Sequence, residues 1–381
     1  MISTLDLPDP RSWPPEPAEP PWPRLRAALE APTRDDADAH DAAVRAWLAA
    51  RIDATDGVAL AHAFAQAPSF ALARHLQRLV ADVERTYASS EALRHVLFAL
   101  PVVLVAALEE DRAPIVVQGV VPEVDALADR LRNARAFGGA ETFALSRSLV
   151  ATPALDWAAL PALLARSRLA ERGSDVPIAA IAPVDLAPAP MRIAATEERV
   201  FLRFIAGAIL AAAHADPLAN PALGGEGIAI ARGLGDALKT PGVSLLALPR
   251  PPERLSLAVA AGRAAQREVS AQLFVSNAIR KLRLSYGEPT AILSAHRAAD
   301  MPGGGELRVS LSSPFAPKAA EGFRCPLYPT ERVQDVAAML EALLRDCRVG
   351  DVRTLAGIHD DLDPLTGQPL FFKDAGGDAM H

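Results

Sequence analysis

Apolar side chains recur at three- and four-residue intervals between residues 44 and 87, the spacing that places them on one face of a helix. One stripe lies behind the acidic pair Asp35 and Asp36, whose charges suit a helix N-terminus, and a second follows Pro68 and Ser69. The two stripes comprise Val44, Trp47, Leu48 and Ile52, then Leu72, Leu76, Leu79, Val80, Val83 and Tyr87. We therefore predict a helical region over residues 24–92.

From residue 93 onward, strand-like apolar runs alternate with helical stripes. Three stretches, residues 93–150, 199–248 and 290–358, each show an order close to strand, strand, helix, strand, without visible sequence repetition. A long helix is predicted over residues 253–284. The pattern predicts an α+β or mixed α/β fold with mixed sheets, divided into an α/β region at 93–250 and a long helix plus a C-terminal α/β region at 251–381.

The first 23 residues form a proline-rich arm. Residues 8–23 contain eight prolines together with Trp13 and Trp22, a composition that neither a helix nor a central strand tolerates. One interpretation is a partner-binding segment, because several prolines have the PxxP spacing that aromatic grooves recognise. The other, which we expect, is that both tryptophans dock on the protein's own surface, since large aromatic side chains are usually buried.

Charge and hydropathy narrow the classes of partner. The formal net charge is -7, which gives no attraction toward nucleic acid. The longest apolar run, residues 96–108, is shorter than the roughly 20 residues of a membrane-spanning helix, and the N-terminus lacks the pattern of a secretory signal. We expect a cytoplasmic protein, from a GC-rich bacterium by its Arg and Ala usage, that binds neither nucleic acid nor membrane. Cys325 and Cys347 have no metal-binding spacing and are expected to be reduced.

A glycine-rich stretch at residues 223–240 invites comparison with phosphate-binding loops. Its Lys239 follows a leucine rather than glycine, and it falls at the predicted end of a helix, where the dipole repels anions. In a dinucleotide fingerprint, Ile230 would occupy the third glycine position and Glu226 would face the pyrophosphate. The stretch is predicted to be a connection and helix start, and no cofactor is predicted.

Histidine and aspartate residues follow three predicted strands, and they are the candidate ligand-binding residues. If the strand ends converge, the cluster would suit metal binding or proton transfer, whereas solvated loop residues are the alternative. A calcium loop is excluded near the C-terminus because Thr366 replaces the required glycine. The candidates are His214, Asp216, His296, His359, Asp361 and Asp363.

No sequence motif for nucleophilic catalysis is present: the chain lacks GxSxG, SxxK and HExxH. The leading hypothesis is therefore a non-enzymatic adaptor, assembly or regulatory protein with a protein partner. The alternative is a metal- or ligand-dependent enzyme that uses the strand-end histidines and aspartates.

Overall fold

The computed structural model describes most of the chain. The described residues are 21–86, 93–108, 113–121, 124–133, 137–138, 140–171, 186–194, 199–218, 233–234, 238–297, 305–313, 315–363 and 369–372. Eight α-helices and ten strands lie within these ranges. The predicted fold class is confirmed: the protein has an α+β fold with N-terminal helices and mixed sheets. Within the same ranges, no helix combines the length and apolar character needed to cross a bilayer.

Four helices open the described chain, and their starts follow from capping residues. The side chains of Thr33 and Asp56 accept hydrogen bonds from backbone N–H groups at the starts of the second and third helices. Their apolar faces join one core with the sheet that follows, so the helical region shares its core with the body of the protein. The helices are α1 (Trp22–Glu30), α2 (Arg34–Asp53), α3 (Gly57–Ala65) and α4 (Phe70–Thr86).

The first large sheet, sheet I, has four antiparallel strands in the order β3-β5-β1-β6. Its central strands β1 and β5 are almost wholly buried because helices cover one face and a second apolar cluster covers the other. The elements in chain order are β1 (Leu93–Leu108), β2 (Ile115–Val117), α5 (Val124–Asn133), β3 (Ala140–Val150), α6 (Leu160–Glu171), β4 (Met191–Ile193), β5 (Arg199–Ala212) and β6 (Val243–Pro249). The short strands β2 and β4 pair with each other outside sheet I.

A single helix, α7 (Leu255–Tyr286), connects the two halves of the molecule. Its first half packs into the core that contains sheet I, through Leu255, Val259 and Ala265 among others. Its second half packs into another core, through Val275 and Ile279 among others. The sequence predicted this helix at residues 253–284, within two residues of its observed ends.

The C-terminal sheet, sheet II, has the order β10-β7-β8-β9, in which β10 and β7 are parallel and the other pairs antiparallel. Its elements are β7 (Thr290–Arg297), β8 (Gly305–Ser313), β9 (Ala316–Pro326), α8 (Val333–Asp346) and β10 (Asp351–His359). Alternate residues of β7 and β8 pack apolar side chains against α7 and α8. On the opposite face of both strands, polar side chains are buried, among them Ser294, His296, Glu306, Arg308 and Ser310.

Several local predictions differ from the structure. Strands of the first two predicted units combine in sheet I, and those of the third unit lie in sheet II. Strand β9 was not predicted. A last strand was expected at residues 368–372, of which the structure describes 369–372, and there Pro369 forms an isolated bridge with Leu362. The predicted helix at residues 228–239 lies largely outside the described residues. The predicted division into regions stays a prediction.

Candidate functional site

A cleft of about 560 Å³ lies beside the middle of α7, between α4 of the N-terminal helices and the start of α8. Three separate parts of the chain thus meet around one open volume, whose size is that of a small-molecule site. Four arginines line it, together with acidic, small apolar and aromatic residues. The arginines are Arg74, Arg250, Arg267 and Arg332.

An aromatic ring positions two guanidinium groups at the mouth of the cleft. The Cζ atom of Arg74 lies 5.8 Å from the ring centroid of Phe70, and that of Arg332 lies 5.1 Å from the same centroid. Both arginines are exposed, and within the described ranges neither forms an ion pair. Their donors are therefore available to a ligand, while the ring restricts where they lie.

The N-terminus of α8 adds to the positive potential at the mouth. Arg332 is the N-cap residue, and its side chain does not cap the helix. The partial positive charge of the first turn therefore opens onto the cleft, which Arg332 and Val336 both line. Asp335, also in the first turn, offsets part of this charge.

Two other arginines that line the cleft, Arg250 and Arg267, are paired with carboxylates. The buried Arg267 donates to Glu331, with 2.8 Å between Nη2 and Oε1, and Arg250 donates to Glu268 over 3.0 Å. Burial lowers the pKa of the Arg267 guanidinium, but the hydrogen bond and charge of Glu331 outweigh burial and raise it. Arg267 thus stays charged, while its Nε atom is buried without a hydrogen-bond partner.

Gln77 of α4 presents its amide to the cleft. Its side chain is 8% exposed and lines both the cleft and an inner recess of about 40 Å³. Within the described part of the chain, its amide forms no hydrogen bond, and the amide atoms keep access to the open volume. A ligand in the cleft would therefore meet a free donor and a free acceptor. The recess behind it is largely aromatic, with Phe64 and Trp157 stacked at 3.7 Å and Tyr328 beside them.

The structure brings the C-terminal candidate histidines together. His296 and His359 occupy paired positions on the parallel strands β7 and β10, with ring centroids 5.5 Å apart. Both nitrogens of His296 are already engaged, by the Ser294 hydroxyl at 2.8 Å and the Asp360 carbonyl oxygen at 2.7 Å. Burial lowers the pKa of His296 to about 4, so the ring is neutral at pH 7. Its full set of partners makes it a structural residue here.

The two candidate aspartates near the C-terminus lie on the same polar face. Asp361 binds Arg308 through both its side chain and its carbonyl oxygen, and Asp363 is buried. Arg308 is itself fully buried and donates to Glu306, with 2.6 Å between Nε and Oε1. The carboxylate of Asp361 therefore belongs to an internal ion-pair network.

The remaining strand-end candidates belong to sheet I. His214 and Asp216 follow β5, so they are separated from the histidines of sheet II and the single cluster considered from the sequence does not form. His214 is exposed. Asp216 accepts two hydrogen bonds from Arg254, over 3.0 and 3.2 Å, beside the start of α7.

The other residues singled out from the sequence have structural positions. Trp22 is buried in the core of the N-terminal helices, which agrees with a docked tryptophan and removes its ring from the surface. Trp13 lies outside the described residues. Cys325 and Cys347 are free thiols, and burial raises the pKa of Cys325 to about 12.

No sequence motif predicts the cleft. Arg74, Gln77 and Arg332 belong to elements far apart in the chain and match no motif. The available signal was weak: a glutamine on the apolar stripe of α4, and an arginine where a capping residue would stand before α8.

Neither a metal centre nor a relative gives the site an identity. Within the described ranges, no group of three or more His, Cys, Asp or Glu side chains is arranged to hold a metal ion. No protein-family model, curated protein or solved structure gives a significant match to this chain.

Proposed function

We propose that this chain is a non-enzymatic cytoplasmic adaptor, assembly or regulatory protein, and that the cleft beside α7 is its recognition site. The observation that carries the proposal is the position of the cleft: α4, α7 and the start of α8 all line it. A ligand or partner in the cleft would contact the N-terminal helices, through α4, and the start of α8 at the same time. Occupancy of the cleft would therefore stabilise one arrangement of α4 relative to α8.

The chemistry of the lining supports recognition rather than catalysis. The arginines and Gln77 bind and orient groups, and the acidic residues Glu268 and Glu331 are held in ion pairs. Two exposed guanidinium groups without an ion pair in the described ranges, together with a glutamine amide, match the requirements of charge recognition.

Affinity capture from the native cell tests the proposal. The bait is the full chain, compared with a double variant that reverses the charge at the mouth, Arg74→Glu with Arg332→Glu. The matched control is Arg26→Glu, an exposed arginine on α1 away from the cleft lining. We expect a reproducible partner that the wild type and the control retain and the double variant loses. The same partners with all three baits would reject the cleft as the recognition site.

The alternative, a metal- or ligand-dependent enzyme, has one supporting observation in sheet II. Within the part of the chain that the structure describes, the Nε2 atom of His359 is buried and has no hydrogen-bond partner. Metal analysis of the purified protein distinguishes the two functions. Stoichiometric bound metal that is lost in His359→Ala would favour the enzyme, and its absence from both proteins would favour the adaptor.

A further inference from the structure

We infer that the cleft binds a small ligand with a dianionic head group, such as a phosphate monoester or a dicarboxylate, next to a neutral hydrogen-bonding group. This inference names the ligand class of the proposed recognition site and therefore rests on that proposal. It is carried by three features of the cleft: two arginines without an ion pair in the described ranges, a helix N-terminus without a side-chain cap, and the amide of Gln77, which forms no hydrogen bond within those ranges.

The charge at the mouth selects the head group. Arg74 and Arg332 both approach the ring of Phe70, and both line the same cleft. The two positive charges, neither paired within the described ranges, match two negative charges on a ligand. Arginine forks prefer the paired oxygens of phosphate and carboxylate, and the first turn of α8 adds backbone donors of the same preference.

The overall charge of the protein makes this local arrangement selective. The chain has a formal net charge of -7, so anions are repelled from most of its surface. The mouth of the cleft presents two arginines and one helix terminus against the single unpaired carboxylate of Asp335. A dianion thus gains more at this place than a monoanion.

Gln77 defines the second part of the ligand. Its amide, which forms no hydrogen bond within the described ranges, offers both a donor and an acceptor, and the residue lines both the cleft and the aromatic recess. A neutral hydroxyl or amide group on the ligand pairs with this amide without the cost of burying another charge. The recess of about 40 Å³ holds only a small group, so the bulk of the ligand occupies the cleft of about 560 Å³.

Isothermal titration calorimetry on the full chain tests the inference with defined probes: methyl phosphate, glycerol 3-phosphate, succinate and acetate. We expect the dianions to bind more tightly than acetate, and glycerol 3-phosphate to bind more tightly than methyl phosphate. Removal of either arginine, in Arg74→Ala or Arg332→Ala, should weaken binding of the dianions about tenfold or more. Arg26→Ala is the matched control and should bind as the wild type does.

Gln77 has a separate readout. In Gln77→Leu, which keeps the size of the buried side chain without its amide, glycerol 3-phosphate should lose its advantage over methyl phosphate while methyl phosphate binds as before. Because Gln77 is buried, circular dichroism and thermal unfolding accompany the titration, and Gln77→Met provides a second neutral replacement. Preference for either kind of dianion supports the inference and assigns the head group to phosphate or carboxylate.

The inference is wrong if no dianion binds, if acetate binds as tightly as the dianions, or if Arg74→Ala and Arg332→Ala leave affinity unchanged. Its failure is distinct from that of the proposed function. Charge-dependent capture of a partner without binding of any probe rejects the ligand class alone, whereas probe binding with unchanged capture rejects the proposed function alone.

Discussion

The carboxylate of Glu84, near the end of α4, binds the first turn of α7 by accepting hydrogen bonds from Ser256. The backbone N–H of Ser256 lies 3.2 Å from Oε1, and its hydroxyl donates to Oε2. Glu84 thus caps the longest helix of the described chain from a different helix, where Arg254 at the N-cap position makes no side-chain cap. The contact joins the N-terminal helices to the body of the protein through buried polar groups.

This contact predicts a pH-dependent stability. Burial raises the pKa of Glu84 from 4.5 to about 7, against the hydrogen bonds of Ser256 and the charge of Arg254. Because the folded state favours the protonated carboxyl, the stabilising contribution is complete below about pH 4.5 and is lost as the pH rises to about 7. Glu84→Gln cannot ionise, so its stability relative to wild type should increase over this interval, by about 3 kcal/mol.

Urea unfolding at several pH values between 4 and 8 measures this difference. Asp82→Asn is the control, a carboxylate replacement on the same helix at a more exposed position. Parallel pH profiles of wild type and Glu84→Gln would contradict the prediction.

The buried ion pairs of sheet II predict a large loss on truncation. Glu306 is fully buried between Arg308, at 2.6 Å, and Arg324, at 2.8 Å. In Glu306→Ala the fully buried guanidinium of Arg308 loses one carboxylate partner and keeps Asp361, and breaking this buried pair is expected to lower the free energy of unfolding by about 3–5 kcal/mol.

A surface ion pair on the same sheet provides the control. Glu321 of β9 pairs with the exposed Lys281 over 3.2 Å, and Glu321→Ala should cost less than about 1 kcal/mol. Chemical unfolding of both variants checks the contrast, and equal losses would show that burial does not govern the strength of these pairs.

Close packing within sheet I predicts an effect of a single methyl group. A Cβ atom on Gly207 of β5 would lie 2.5 Å from the Phe98 ring and 2.7 Å from the Ala144 carbonyl oxygen. Gly207→Ala should therefore destabilise the protein by about 1–3 kcal/mol. A Cβ atom on Gly350 would have no heavy atom of the described chain within 4 Å apart from those of its own residue and its two chain neighbours, so Gly350→Ala should have little effect. Thermal unfolding compares the two, and a neutral Gly207→Ala would refute the close approach.

The burial of Trp22 predicts that the start of the described chain contributes to the stability of the protein. Its ring is 8% exposed and packs in the core of the N-terminal helices. Trp22→Ala should cost about 3–5 kcal/mol, on the scale of large aromatic truncations. Leu29 on the same helix is 48% exposed, so Leu29→Ala should change stability by less than about 0.5 kcal/mol. With Trp13, Trp47 and Trp157 replaced by Phe, only Trp22 fluoresces as a tryptophan, and an emission maximum typical of exposed tryptophan would argue against its buried position.

Much of the fold was predictable because local pattern and tertiary packing agree. The stripe containing Leu72, Leu76 and Leu79 predicted α4, and all three side chains are buried. Strand β9 escaped prediction because "APKAAEGFRCP" has no regular alternation. The position of β9 is set by its antiparallel pairing with β8 and not by its own sequence pattern. The ring of Phe371 packs over Gly322 of this strand.

The site was less predictable than the fold. The pairing of His296 with His359 follows from the register of two parallel strands, and the sequence did select both residues. Their roles depend on partners that no spacing indicates, such as the Asp360 carbonyl oxygen that binds His296. Arg74 and Arg332 both approach Phe70 only because the fold places α4 near the start of α8. This proximity is a property of the tertiary structure alone.

Because α7 contributes one half of its length to each of two cores, neither core is complete without residues from the same helix. At about 1.5 Å per residue, the helix is about 48 Å long and has no break where the chain could be divided. A cut within it would leave each fragment with an uncovered apolar face. The two sheets are therefore expected to unfold in a single cooperative transition, as one thermodynamic unit despite their separate strands.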